Sequence, residues 1–150
     1  MGAIVRAVQQ APPDGPCLFL AGGISGCPAW QAPLATELAR RLPPWILLDP
    51  RREVPPEQEE EVAAQIEWEH RHLRRAEAVL FWFPAETLCP ITLYELGAMS
   101  MTDKRLFVGV HPGYQRRKDV IHQTRLVRPE VNVVHDLDAL ATEVVRGLAS

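Results

Sequence analysis

Cysteine is scarce in this 150-residue chain, and its three copies, Cys17, Cys27 and Cys89, form neither a CxxC pair nor a cysteine-histidine cluster. Structural thiols are therefore the simpler reading, ahead of a metal or redox role. No apolar run approaches the roughly 20 residues of a membrane-spanning helix, and the first residues lack the basic-then-apolar order of a signal peptide. An excess of positive charge is missing as well. With 16 Lys+Arg against 19 Asp+Glu the net charge is -3, which argues against the broad basic surface of a duplex nucleic-acid binder. The expectation is a cytoplasmic protein that engages neither membrane nor duplex nucleic acid, and no metal or organic cofactor is expected.

Proline, by contrast, is abundant. The 14 prolines cluster at 12–16, 43–44, 50–56 and 84–90, between apolar segments rather than within them, and so read as punctuation between elements. The segments they separate alternate in type. Residues 3–8 read as a short edge strand within an N-terminal extension, 1–16. Cys17 to Ala21 is an apolar run of buried-strand type that enters the turn Gly22-Gly23-Ile24-Ser25-Gly26. A helix follows over Pro28 to Leu42, then a strand over Trp45 to Leu48 that ends at Asp49-Pro50-Arg51-Arg52. An acidic first turn opens a second helix over Glu57 to Ala76. Ala78 to Phe83 is the most apolar strand, Pro90 starts a third helix, and Arg105 to Val110 is a fourth strand that ends at His111. A basic helical segment over 115–126, a fifth strand over Val131 to Val134 and an amphipathic helix over Leu137 to Leu148 complete the chain. Strands that alternate with helices predict one α/β domain over 1–150, a doubly wound, five-stranded parallel sheet in a three-layer sandwich of flavodoxin or Rossmann type. Ligands of such sheets sit beyond the carboxyl ends of the strands.

Two carboxylates interrupt otherwise apolar helix faces. Glu95 is the only charge between Ile91 and Met101, and the third helix, apolar all round, is expected to be buried. In the second helix, Val62, Ile66, Leu73 and Ala76 form the expected buried stripe, whose gap is filled by Glu69. Acids on core-facing positions either carry function or are structural groups satisfied by hydrogen bonds, Glu69 with Tyr94 or an arginine and Glu95 within a turn. The glycine turn is neither a P-loop nor GxGxxG. It is either a tight turn or a place where backbone meets a ligand closely, with Ser25 beside it. Arg116, Arg117 and Lys118 are either a solvated face or, through Arg117, a contact for an anionic group. Trp68 is read as core, whereas Trp82, at a strand end, is either core or a surface on which a flat base stacks.

The run Phe19-Leu20-Ala21-Gly22-Gly23, the acid Glu69 ahead of a hydrophobic strand, and above all Tyr94-Glu95-Leu96-Gly97 resemble the nucleoside 2-deoxyribosyltransferase superfamily, which also contains nucleotide N-glycoside hydrolases. The stretch from Gln65 to Gly97 is similar to its nucleoside 2-deoxyribosyltransferase-like branch. The resemblance implies that Glu95 is the nucleophile at the anomeric carbon and that Glu69 replaces an acid that is usually Asp. Gly22 and Gly23 would then line the sugar pocket, with Ser25, Trp82, Glu86, Tyr94 and Arg117 as further substrate contacts. It also implies a small-molecule nucleoside or nucleotide as partner and a homodimer or larger assembly. Where the transferases carry another acid, in the turn before the nucleophile, this chain has Cys89, with Glu86 the nearest carboxylate. A non-catalytic nucleotide-sensing module of the same fold is the alternative.

Overall fold

The computed structural model of the chain describes residues 1–149. Its sheet is all-parallel, built from β1 (Ile4–Arg6), β2 (Cys17–Gly22), β3 (Ile46–Asp49), β4 (Ala78–Phe83) and β5 (Arg105–Val110) in the order β1-β3-β2-β4-β5. The helices are α1 (Gln31–Arg41), α2 (Glu59–Arg75), α3 (Pro90–Ser100), α4 (Arg117–Val127) and α5 (Leu137–Leu148). Every residue of β2 and β4 is buried, as their unbroken apolar sequences require of strands covered on both faces.

Helices cover the two faces unequally. Leu18, Leu20 and Leu80 pack with Leu34 and Leu38 of α1 and Leu140 and Val144 of α5, whereas Phe19, Val79 and Phe81 pack with Trp68 and Leu73 of α2, Leu96 of α3 and Val120 of α4. This division follows from handedness. The β2-α1-β3 crossover steps one way along the sheet and β4-α3-β5 the other, so right-handed connections put α1 and α3 on opposite faces. Between β2 and β4 the direction of winding reverses, and the loops that leave their carboxyl ends diverge to open a crevice.

Three expectations change. The fifth strand is β1, not Val131 to Val134. That segment makes a single parallel bridge between Gly109 and Val134, because only two backbone hydrogen bonds, Val110 to Val134 and Val134 to Val108, join it to β5. The first helix begins at Gln31 rather than Pro28. Finally, α2 is rotated from its expected phase: Trp68 and Gln65 are buried with Leu73, while Val62 and Ile66 are exposed. The large indole sets the rotation. It stacks on His72 at a centroid distance of 4.2 Å and donates its N–H to the Gln9 carbonyl at 2.9 Å. The Arg75 guanidinium at the end of α2 reaches the Pro12 carbonyl at 2.6 Å, so the N-terminal extension is tied to this helix at two points.

Candidate active site

A cavity of about 800 Å³ opens at the reversal point, between the β2-α1 loop on one side and α2 and α3 on the other. Apolar side chains, among them Val62, Ile66, Ile91 and Met99, form most of its wall. The apolar α3 is therefore not enclosed as expected. Thr92, Leu96 and Ser100 are its buried positions, while Ile91, Tyr94 and Met101 are exposed. The rotated phase of α2 has the same effect: Val62 and Ile66, expected in the core, line the cavity instead.

Glu69 and Glu95 both line this space. Glu69 Oε2 accepts a hydrogen bond from Gln65 Nε2 at 2.7 Å, the amide one turn earlier in α2, and not from Tyr94 or an arginine. No described residue donates a hydrogen bond to the Glu95 carboxylate, so the turn-capping role weighed for it is not seen. Burial raises the pKa of both acids. For Glu69 the Gln65 amide opposes that rise. For Glu95 the negative charge of Glu69 adds to it, pushing the value up to about 8 from an ordinary 4.5. Between two such acids the proton belongs on Glu95, because the amide favours the charged form of Glu69.

Opposite the two acids lies the glycine turn. A side chain on Gly23 would put its Cβ 2.8 Å from Pro84 Cγ and 3.0 Å from each of the Cys27 and Cys89 sulfurs, so only glycine fits between the loops. The Gly23 carbonyl is turned away to accept from Trp30 Nε1 at 2.9 Å and from the buried Gln31 Nε2 at 3.2 Å. Arg51, which follows β3, binds the same loop from behind. Its guanidinium donates to Gln31 Oε1 at 2.9 Å, to the Ile24 carbonyl at 2.6 Å and to the Pro28 carbonyl at 3.2 Å. Sequence reasoning placed Arg51 at a strand end without giving it this role, since a clamp on backbone carbonyls leaves no residue pattern.

The second loop is fixed in a comparable way. Tyr114 is buried against Phe83 and its hydroxyl donates to the Leu88 carbonyl at 2.7 Å. Cys89 takes the left-handed conformation, φ 52°, immediately before Pro90 begins α3. Burial and the neighbouring Cys27 thiol push the Cys89 pKa up to about 12, so it is a neutral lining group where an acid was looked for.

The structure brings Gly22, Gly23, Ser25, Glu69, Tyr94 and Glu95 to one cavity, whereas Trp82, Glu86 and Arg117 do not line it. Trp82 is buried on the other face of the sheet, its ring against Gly109, and has no surface on which a base could stack. The basic side chains that do line the space are His70 and Arg74. His111 uses Nδ1 to accept from the Gly113 amide at 2.9 Å and shapes its own turn.

The family model described as nucleoside 2-deoxyribosyltransferase like matches residues 15–114, a segment that holds β2 to β5 and both glutamates. The chain belongs to that family. The family is one of nucleoside deoxyribosyltransferase-like enzymes, and its matched segment ends at Tyr114, the residue that braces the loop before α3. No curated protein matches the chain. No helix among the described residues is long and apolar enough to cross a membrane.

Proposed function

We propose that the protein cleaves the N-glycosidic bond of a nucleoside or nucleotide and passes the sugar to another base or to water. One observation carries this reading above the family match: two acids from separate helices share one cavity at the reversal point. Two carboxyls at one reacting centre can divide the roles of nucleophile and proton carrier. The pair's one proton passes from Glu95 to Glu69, and as the C1′–N bond breaks its electron pair goes to the base nitrogen, which takes that proton from Glu69. The charged Glu95 carboxylate then forms a C1′–O bond. Attack on C1′ by a second base or by water, activated by the other carboxylate, breaks that bond and frees Glu95. Glu69 stabilises positive charge at C1′ and returns the proton balance to its starting point.

The test is release or exchange of free base, followed by chromatography, over a panel of nucleosides and their monophosphates. Wild-type protein is compared with Glu95→Gln and Glu95→Ala. The reading predicts turnover by wild type and none by either variant; a wild type inert across the panel overturns it.

A second reading, nucleotide sensing without catalysis, is favoured by one feature: burial and the Glu69 charge raise the Glu95 carboxyl to about 8, which favours its neutral form, a poor nucleophile. It predicts a melting temperature that climbs with nucleotide concentration and no turnover. For the assembly we infer a homodimer or larger, in which a second copy covers the exposed side of α3 around Ile91, Tyr94 and Met101. Sedimentation as a monomer would contradict it.

A further inference from the structure

Gln65 lines the cavity from α2 with only 8% of its surface exposed. Its amide nitrogen faces two acceptors, the Pro50 carbonyl and Glu69 Oε2, each at 2.7 Å. Both neighbours present oxygen, so turning the amide over would set oxygen against oxygen twice. The orientation is therefore fixed by its surroundings. Fixing the nitrogen also fixes Oε1 on the other side, and this buried oxygen has no donor among the described residues. Leaving such an acceptor unpartnered is unfavourable, because the desolvation of the oxygen is not offset by a hydrogen bond. The α2 rotation set by Trp68 brings Gln65, one helical turn before Glu69, into the wall of the cavity that both acids line.

We propose that Gln65 is a specificity-determining residue whose Oε1 accepts a hydrogen bond from a hydroxyl of the sugar held between Glu69 and Glu95. The assignment rests on the N-glycoside reading above. A hydroxyl suits the position better than an amino group of the base. It donates to Oε1 and still has lone pairs with which to accept from another group of the wall, whereas a conjugated amine only donates. A substrate that lacks the hydroxyl leaves Oε1 unpartnered in the bound state, and sites built in this way reject such analogues.

The experiment uses the full chain and the ribonucleosides of the four common bases. For each that binds, the 2′-deoxy, 3′-deoxy and 5′-deoxy forms are compared by calorimetric Kd and by kcat/KM. In wild type, removal of one particular hydroxyl should weaken both quantities by about 10- to 100-fold. In Gln65→Met, which keeps the length of the side chain and loses the acceptor, that preference should vanish even though the overall rate also falls. If Gln65→Met fails to fold, the wild-type series alone decides the matter, because the inference requires one of the three deoxy forms to be penalised.

Equal treatment of all three deoxy forms by wild type overturns the inference. So does an undiminished penalty in Gln65→Met, or a preference that follows the amino group in adenosine against inosine. Turnover with no hydroxyl preference sinks this inference alone, and binding with the predicted preference but no turnover sinks only the catalytic reading. Absence of binding by every nucleoside overturns this inference, and the catalytic reading then falls only if the monophosphates are inert as well.

Discussion

Glu69 and Glu95, carried by helices of different crossovers, share one cavity, and burial together with the Glu69 charge lifts the Glu95 carboxyl to about 8. The proposed chemistry needs one proton on this pair. The profile of kcat/KM against pH should therefore be bell-shaped, falling above about 8 as the pair loses its proton and falling on the acid side as Glu69 gains one. Glu69→Gln removes the charge that holds up Glu95, so its residual activity should show a basic limb moved to lower pH. A limb that stays in place would detach Glu69 from the pair.

The same shift makes a prediction for stability. A carboxyl with a raised folded-state value stabilises the fold fully below its ordinary 4.5, and that contribution is lost as pH rises through about 8. Glu95→Gln should therefore match wild type near pH 4 and exceed it at pH 9, by on the order of 1–3 kcal/mol after allowance for partial exposure. Urea denaturation at the two pH values measures the difference, and equal stability at pH 9 would count against the raised value.

Two glycines give opposite expectations. Gly23→Ala forces a methyl group into contact with Pro84 and two sulfurs, at an expected loss of about 1–3 kcal/mol and of most activity. Gly97, inside α3, has nothing within 4 Å of an added Cβ. Gly97→Ala should stabilise the protein by about 0.5–1 kcal/mol through the entropy of the unfolded chain. Thermal melts of the two variants provide the check.

Arg51→Met removes donors from the Ile24 and Pro28 carbonyls and from Gln31. The predicted loss is about 2–3 kcal/mol, as expected for hydrogen bonds to a charged group. Activity should decline further than stability explains, because the loop that carries Gly23 and Ser25 would lose its backing. A variant that melts earlier yet keeps full activity would limit Arg51 to a structural role.

Strand and helix periodicity carried most of the fold. β4, β5 and α5 occupy the same residues in sequence and structure, because each is a strongly patterned run with turn residues at its ends. Val131 to Val134 misled, since β-branched residues report a fit to a half-buried surface rather than a paired strand, and this segment lies along β5 with one bridge. The phase of α2 was illegible for a different reason. Val62, Ile66 and Trp68 cannot all face inward, and the Gln9 carbonyl that decides for Trp68 is remote in sequence. That choice turned Gln65 from a polar helix residue into a cavity wall. Glu69 and Glu95 were legible as charges in apolar surroundings, although what surrounds them is the wall of a cavity rather than a closed core.

The tie between the N-terminal segment and α2 bears on where the working unit begins. Residues 1–14 precede the matched segment, yet Gln9 and Pro12 supply the carbonyls that hold Trp68 and Arg75. They act as a splint for the helix that presents Glu69. A chain trimmed to the family boundaries would retain β2 to β5 but lose both carbonyls that hold that helix. For this protein the smallest fragment that keeps Glu69 anchored is therefore longer than the smallest recognisable one.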